Sequence, residues 1–493
     1  MEPTVRSPAL AAISSVLLGL PFGSACAQPD VVTPPWDAGL VESPGEADLV
    51  AHDAAIDVWS AHLANGIVVH HRHMPGTGIV AIRALVNGGA LLEQPEQRGL
   101  TEAAVGTAWA NYRSPRLTPE HLAGLTVRSD ARVDGAKLYV DAEPDRFQAA
   151  VAATWALLES PRVERADLAQ WRQAALAART TPEATFRLLA DSAILGNGQL
   201  AARAGLASVN QLAAAEPDQA QAWLRHLTHT EPIEIGIAGD IEPHEALETA
   251  AAWFGTLPDR PRPHAGRHAE LRMGEPPASE ARGHARTPNG DSIVMLAFFG
   301  PDLDQLDDFR AMRLATRIVD QRAALDLAEV GITPQAMRMT VSPGLSLPGR
   351  GMAWAHAQLP GDQAGRAARI IDAAFRELAT EGPTQPEIDR AAAQTIADLE
   401  SRLAEPRFWA EVLAQRETYA MPMPPMDEIR QAYRSITPVE LRDRVAKYIT
   451  NDRRVIVLLE AAEAAEARAI RQLRIQIEQR VKMDEPAEVG PPD

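Results

Sequence analysis

The chain has 493 residues, of which 46% are hydrophobic and 5% aromatic, and a net charge of −18. That apolar content over that length supports two sizeable cores and excludes general disorder. The negative charge excludes a nucleic-acid partner, whose phosphates demand a basic surface, and the sparse aromatics argue against a stacking platform for sugars or bases.

The N-terminus reads as an export signal: Arg6, an apolar segment from Ala9 to Phe22, then the small residues Ala25-Cys26-Ala27 as a cleavage site. Residues 1–27 are thus expected to be a signal peptide that sends the protein to the periplasm or cell envelope. The mature chain would start near Gln28, with no apolar run long enough to span a bilayer. Cys26 is the only cysteine, so the mature chain would hold no thiol. In a rival reading the protein is a lipoprotein acylated at Cys26, although the leucine usual three positions earlier is missing. Residues 28–55, rich in proline and acid, suit a flexible tether.

A first domain is expected over 56–258. Gly66-Ile67-Val68-Val69-His70 reads as a strand after a turn, and the β-branched run Ile79 to Val86 as a second, closed by Asn87-Gly88-Gly89. Leu100 to Tyr112 is an alanine-rich helix. Leu138, Val140 and Ala142 alternate as a strand and lead through Pro144-Asp145 to an apolar-striped helix, Ala149 to Leu158. Ser160-Pro161 ends it, and a further helix runs from Ala166 to Arg179. The helix Asn210 to His226 and the strand Ile233 to Ile237 follow. Proline, glycine and mixed charge over 259–291 read as an interdomain linker with no fold of its own. A second domain, 292–460, opens on the buried-strand run Ile293 to Phe299, and the tail 461–493 is helical by composition before an acidic, proline-bearing end.

The second domain repeats the first. Met352, Trp354 and His356 lead through Pro360-Gly361-Asp362 to a stripe of Ile370, Ile371, Phe375 and Leu378, then Gly382-Pro383 and another helix. The two prolines lie 216 positions apart (360 − 144), and the closing strands, centred on Ile235 and starting at Val455, lie 220 apart (455 − 235). A period of that length duplicates whole domains. Strands and helices interleave without a dinucleotide-binding glycine signature. The predicted class is therefore α+β: two homologous domains, each a mostly antiparallel sheet with helices packed on one face.

Gly236-Ile237-Ala238-Gly239-Asp240-Ile241 with Phe254-Gly255-Thr256-Leu257-Pro258, and earlier Asn65 to Val69, Gly88-Gly89-Ala90 and Gln97-Arg98-Gly99-Leu100, resemble the insulinase or pitrilysin type of zinc metallopeptidase. Phe299-Gly300-Pro301 and Glu381-Gly382-Pro383-Thr384 with Glu387-Ile388-Asp389 resemble the second homologous domain of that family. The resemblance implies a half-clamshell, two of which enclose a peptide-digesting chamber. It also implies zinc on an inverted motif, His-x-x-Glu-His, completed by a distal glutamate. Two histidines four apart share a helix face, and the glutamate can activate a zinc-bound water. Carried onto this chain, the first histidine falls at Glu102, the general base at Val105, the second histidine at Gly106 and the distal glutamate at Ala177. Zinc is the cofactor the family implies, but the ligands are absent here. The arginine and tyrosine that many two-chain members place in the second domain fall near Leu325, with Arg322 close by, and near Ile332.

Other groups could carry chemistry. His70, His71 and His73 cluster at a strand end, with His71 and His73 on one face: either a surface metal site or, with no acid or cysteine close in sequence, a polar strand end. His244 to Glu248 imitates the other zinc-helix motif, yet follows Asp240-Ile241-Glu242-Pro243, a helix start where acids are favoured. His264 and His268 have helical spacing but lie in the linker. His226 and His229 close a helix, where they would meet its C-terminal carbonyls. Ser160, Ser342 and Ser346 lie in turns with no histidine beside them.

The sequence thus points to an exported, non-catalytic insulinase-type homologue. Its expected role is a structural, regulatory or peptide-holding subunit, paired with a zinc-bearing paralogue or with a second copy of itself. The alternatives are a metallopeptidase with a relocated metal site at His71, His73 or His244, and a stand-alone peptide-binding module.

Overall fold

The computed structural model describes residues 47–196, 198–265, 278–287 and 289–462. The expected signal peptide, Cys26, most of the tether and all but two residues of the tail lie outside them. The first sheet holds β1 (Ala47–Asp53), β2 (Val58–Leu63), β3 (Val68–His73), β4 (Val80–Asn87), β5 (Thr126–Ala131), β6 (Gly135–Ala142) and β7 (Ile233–Gly239). The second holds β8 (Ser279–Ala285), β9 (Ser292–Phe299), β10 (Ala336–Ser342), β11 (Met352–Leu359) and β12 (Arg454–Ala461).

The helices of the first half are α1 (Leu100–Ala104), α2 (Pro119–Leu122), α3 (Phe147–Glu159), α4 (Arg165–Ala178), α5 (Pro182–Leu195), α6 (Gln199–Ala204), α7 (Val209–Ala214), α8 (Pro217–Thr230) and α9 (Pro243–Phe254). The second half supplies α10 (Leu306–Glu329), α11 (Ala364–Thr380), α12 (Gln385–Leu403), α13 (Pro406–Leu413), α14 (Met426–Arg434) and α15 (Pro438–Ala446).

The strand orders make the duplication explicit. The first sheet runs β1-β2-β3-β7-β4-β6-β5 and the second, read from its far edge, β8-β12-β9-β11-β10. In both, one parallel contact, β3 with β7 and β8 with β12, interrupts an otherwise antiparallel sheet. The α+β class with two homologous domains is therefore the observed architecture.

Three boundaries differ from expectation. β1 begins inside the stretch read as tether and pairs with β2. β8 lies inside the stretch read as linker; its polar alternation around Gly283 gives no core-strand signal, and pairing with β12 creates it. The linker's opening residues also pack home, since the Arg260 amide donates to Asn65 O at 2.9 Å. The single helix expected over Asn210 to His226 is two, because Pro217 takes a first helical position and cannot continue α7. Pro438 divides α14 from α15 in the same way, with Thr437 capping the second piece.

Every residue of β4, β7 and β9 is buried, so both faces of each sheet are covered. On one face of the first sheet Ile82, Val86, Val140 and Ile235 pack with Phe147, Val151 and Phe254 of α3 and α9. The opposite face receives a helix from the other domain: α13 lies on β7 and β4, with Trp409, Ala410 and Leu413 against Ala81 and Ala238. The exchange is reciprocal. Helix α5 of the first half lies on β8 and β12, placing Phe186, Ala190 and Ala193 against Met295 and Val457. Each seat is made by a glycine. A Cβ on Gly236 would fall 2.2 Å from Ala410 O, and one on Gly283 2.5 Å from Leu189 Cδ1.

Candidate functional site

The helix expected to carry the family's metal motif starts where Gly99, at φ 91°, turns the chain. Beneath it Glu93, fully buried, accepts hydrogen bonds from Arg98 Nη1 and the Gly99 amide at 2.9 Å each and from the Thr101 amide at 2.7 Å. A carboxylate at a helix N-terminus satisfies amides that have no partner within the helix. The expected helix from Leu100 to Tyr112 is not uniform: α1 ends at Ala104, and Val105–Trp109 forms a π-helical turn. Its wider bonds run from the Ala110 amide to Val105 O at 3.2 Å and from the Arg113 amide to Ala108 O at 2.8 Å.

The four carried-over positions lie around this turn and α4. Glu102 is one-third exposed, and both its oxygens accept from Arg179 Nη2, at 2.9 and 2.7 Å. Val105 is part of the first core. Gly106 faces Trp171 of α4 so closely that a Cβ would lie 2.3 Å from the indole Nε1. Ala177, also on α4, is exposed and offers no donor atom. These residues do not fit a zinc ion: one carboxylate is engaged by a guanidinium, and the other three positions have no ligating side chain. Among the described residues no three His, Cys, Asp or Glu side chains are grouped to hold a metal.

Nothing in the sequence singles out Arg179 or Trp171, although Arg179 lies only two positions past Ala177. Besides Glu102, Arg179 donates from Nε to Ala207 O at 3.3 Å. It also lies near Asp191 of α5, a carboxyl that burial raises above its ordinary pKa and that caps the Leu206 amide at 3.1 Å.

The histidine cluster is not a surface site. β3 lies between β2 and β7, so His70 and His71 are buried. His70 Nδ1 meets Ser60 Oγ at 2.7 Å and its Nε2 meets Glu234 Oε1 at 3.2 Å, so the acid missing nearby in sequence arrives from β7. His71 donates from Nε2 to Ile241 O at 3.1 Å, and burial pulls its pKa down to about 4. His73 Nδ1 lies 3.9 Å from Glu242. His244 pairs with Glu248 at 3.3 Å on the exposed side of α9. His229 reaches the Glu159 carbonyl that ends α3, at 3.0 Å, rather than the end of its own helix, and His226 Nδ1 meets Thr230 Oγ1 at 3.0 Å. His264 lies outside regular structure, and His268 lies outside the described residues.

The serines are structural. Ser160 meets Ser114 at 3.2 Å, Ser342 ends β10 and accepts from Trp354 Nε1 at 2.7 Å, and Ser346 accepts from Arg132 at 3.1 Å. Arg322 grips Glu387 at 2.8 and 3.0 Å and Glu377 at 3.1 Å, tying α10 to α11 and α12. Those hydrogen bonds hold the Glu387 carboxyl down at about 2. Leu325 is 67% exposed and Ile332 is buried.

A polar seam joins the domains where α13 and the turn after it cross the first sheet. Asp141 accepts from Arg83 at 2.7 Å and from Arg407 at 2.8 Å; against the upward pull of burial, the two guanidinium groups hold it below the usual carboxylate range. Lys137, fully buried, pairs with Glu411, and burial lowers its ammonium to about 8. Glu234 accepts from the Glu417 and Thr418 amides at 2.7 and 2.9 Å, and the Tyr419 hydroxyl bonds Asp134.

Comparison with known proteins bears on this arrangement. Residues 214–395 match the family model for the Peptidase M16 inactive domain. No curated protein matches the chain in sequence. Among solved structures, a peptidase M16 inactive domain from Pseudomonas fluorescens superposes with a TM-score of 0.66 at 18% identity, over 82% of this chain and 98% of that one. A protease from Helicobacter pylori gives a TM-score of 0.68 at 13% identity, over 84% and 100%. The ferredoxin protease FusC, solved in complex with Arabidopsis ferredoxin, gives 0.66 at 15% identity over 93% of this chain and 51% of that one, so this chain spans about half its length. The resemblance read from the sequence therefore holds: residues 214–395 match the M16 inactive-domain model, the chain shares the fold of M16-like structures, and its sequence lacks the inverted zinc motif.

Proposed function

We propose that this protein is an exported, non-catalytic subunit that holds peptide segments and closes its chamber against a zinc-bearing insulinase-type partner or a second copy of itself. One observation carries the reading: both domains and their interlocking helices are retained, while Glu102 is committed to Arg179 and Trp171 crowds Gly106. A metal-activated water has no place among these residues. A scaffold kept intact around such a position serves assembly and binding. The terminal strands β5 and β10 each have one edge without a strand partner among the described residues, and such edges accept extended peptide by main-chain pairing. The structurally similar ferredoxin protease, solved in complex with Arabidopsis ferredoxin, supports a binding role for the scaffold.

The protein, isolated from its own cell envelope under mild conditions, should bring down a homologue carrying His-x-x-Glu-His or run as a dimer, and on its own should not hydrolyse peptides. A monomer without such a companion, or peptide turnover by the isolated chain, overturns the proposal.

A further inference from the structure

We infer that Arg179 and Trp171 form a built-in seal at the family's metal position, in which a guanidinium does the joining that a bound cation would otherwise do and an indole fills the space of the second ligand. The inference stands apart from the partner proposal and survives its failure.

Two observations converge on it. First, the cation comes from the helix expected to give the third ligand: Ala177 is bare, and Arg179, two residues on at the end of α4, donates from Nη2 to both Glu102 oxygens at 2.7 and 2.9 Å. Arg179 also donates to Ala207 O and lies beside Asp191. It therefore joins α1, the end of α4 and the loop before α7, with α5 alongside, through one positive centre. A metal shared between α1 and α4 would join the same two helices, so the ion pair makes this junction independent of metal.

Second, Trp171 excludes a replacement. A Cβ on Gly106 would lie 2.3 Å from Nε1 and 2.7 Å from Cδ1 of the indole, and a ring atom cannot give way as the end of a flexible chain can. Any side chain at 106, and an imidazole above all, must first displace a tryptophan packed against the first core. The site is closed by charge and volume together. Restoring ligand residues alone would not reopen it.

Two versions of a graft test this. One carries Glu102→His, Val105→Glu, Gly106→His and Ala177→Glu with the seal intact; the other adds Trp171→Ala and Arg179→Ala. After dialysis against zinc and desalting, elemental analysis should find no zinc in the unsubstituted chain or the sealed graft, and one equivalent in the opened graft. Stoichiometric zinc in the sealed graft, or none in the opened one, overturns the inference. Should either graft fail to fold, a double-mutant cycle on the unsubstituted background decides. Glu102→Gln and Arg179→Met should each lower the thermal midpoint, and the double variant should lower it by clearly less than the sum. Additive losses, or a midpoint raised by zinc or lowered by chelator in the unsubstituted chain, overturn it equally.

Discussion

Arg179 shows how much a single residue's role depends on its neighbours in space. Read along the chain it is an ordinary helix-end cation, favourable to the carbonyls there. Folded, it is the partner of Glu102 across 77 positions of sequence. Glu102, Val105, Gly106 and Ala177 were legible from the sequence because the motif has a fixed spacing, and a missing imidazole is visible in any alignment of types. What replaced the ligands was not legible, since nothing in the spacing of Trp171 says which helix it covers. His71 is a similar case with a measurable consequence. It looked solvent-facing at a strand end, yet burial holds it neutral, with a folded pKa of about 4 against 6.5 when exposed. As pH falls from 6.5 towards 4 the unfolded chain takes up the proton first, so stability is present above this window and lost on passing down through it. The loss for this one group is up to about 3 kcal/mol. His356, also lowered to about 4 by burial and then by Arg338, adds a loss of the same sign. Denaturant midpoints measured across that range should fall with acid, and His71→Gln should flatten the slope; an unchanged slope would place His71 in solvent.

Elements with one dominant face are legible in the sequence, and those whose setting comes from elsewhere are not. Helix α11 carries Ile371, Phe375 and Leu378 on a narrow stripe that any 3.6-residue period reveals. Helix α10 does not, because Ala311, Met312, Leu314, Ile318 and Val319 spread over a wide arc to meet several neighbours at once. β8 has no stripe at all and becomes a strand through the backbone of β12 and the helix above it. The seats of the exchanged helices make a sharp prediction. Gly236→Ala forces a methyl group to within 2.2 Å of Ala410 O and should cost roughly 1 to 3 kcal/mol, as overpacking of a tight contact does. Gly365→Ala, in a helix with open space around it, is the control and should be neutral or slightly stabilising. Chemical denaturation of the two variants side by side checks this, and equal midpoints would mean that α13 is not seated on β7.

At the scale of the whole molecule, the domains are interlocked rather than strung together. Each lends a helix to the other's sheet, and ion pairs cross the seam at Lys137 with Glu411 and at Asp141 with Arg407. Separating the halves would expose Trp409 and Phe186 and take Glu411 away from Lys137, which is far costlier than parting a wet interdomain contact. Differential scanning calorimetry should therefore record one cooperative transition across both domains, and two resolved transitions would show the seam to be weak. The sequence by itself determined the duplication, the α+β class, the identity of most strands and the loss of the zinc motif. These depend on short-range periodicity and on residue types at fixed spacing, which a linear chain displays directly. Tertiary structure alone decided that the helices change partners, that the presumed linker supplies a strand, that His70 and His71 are interior, and that Arg179 and Trp171 close the old metal position. Each of those is a contact between residues dozens to hundreds of positions apart, where the physical cause is the neighbour and the sequence names the neighbour without placing it.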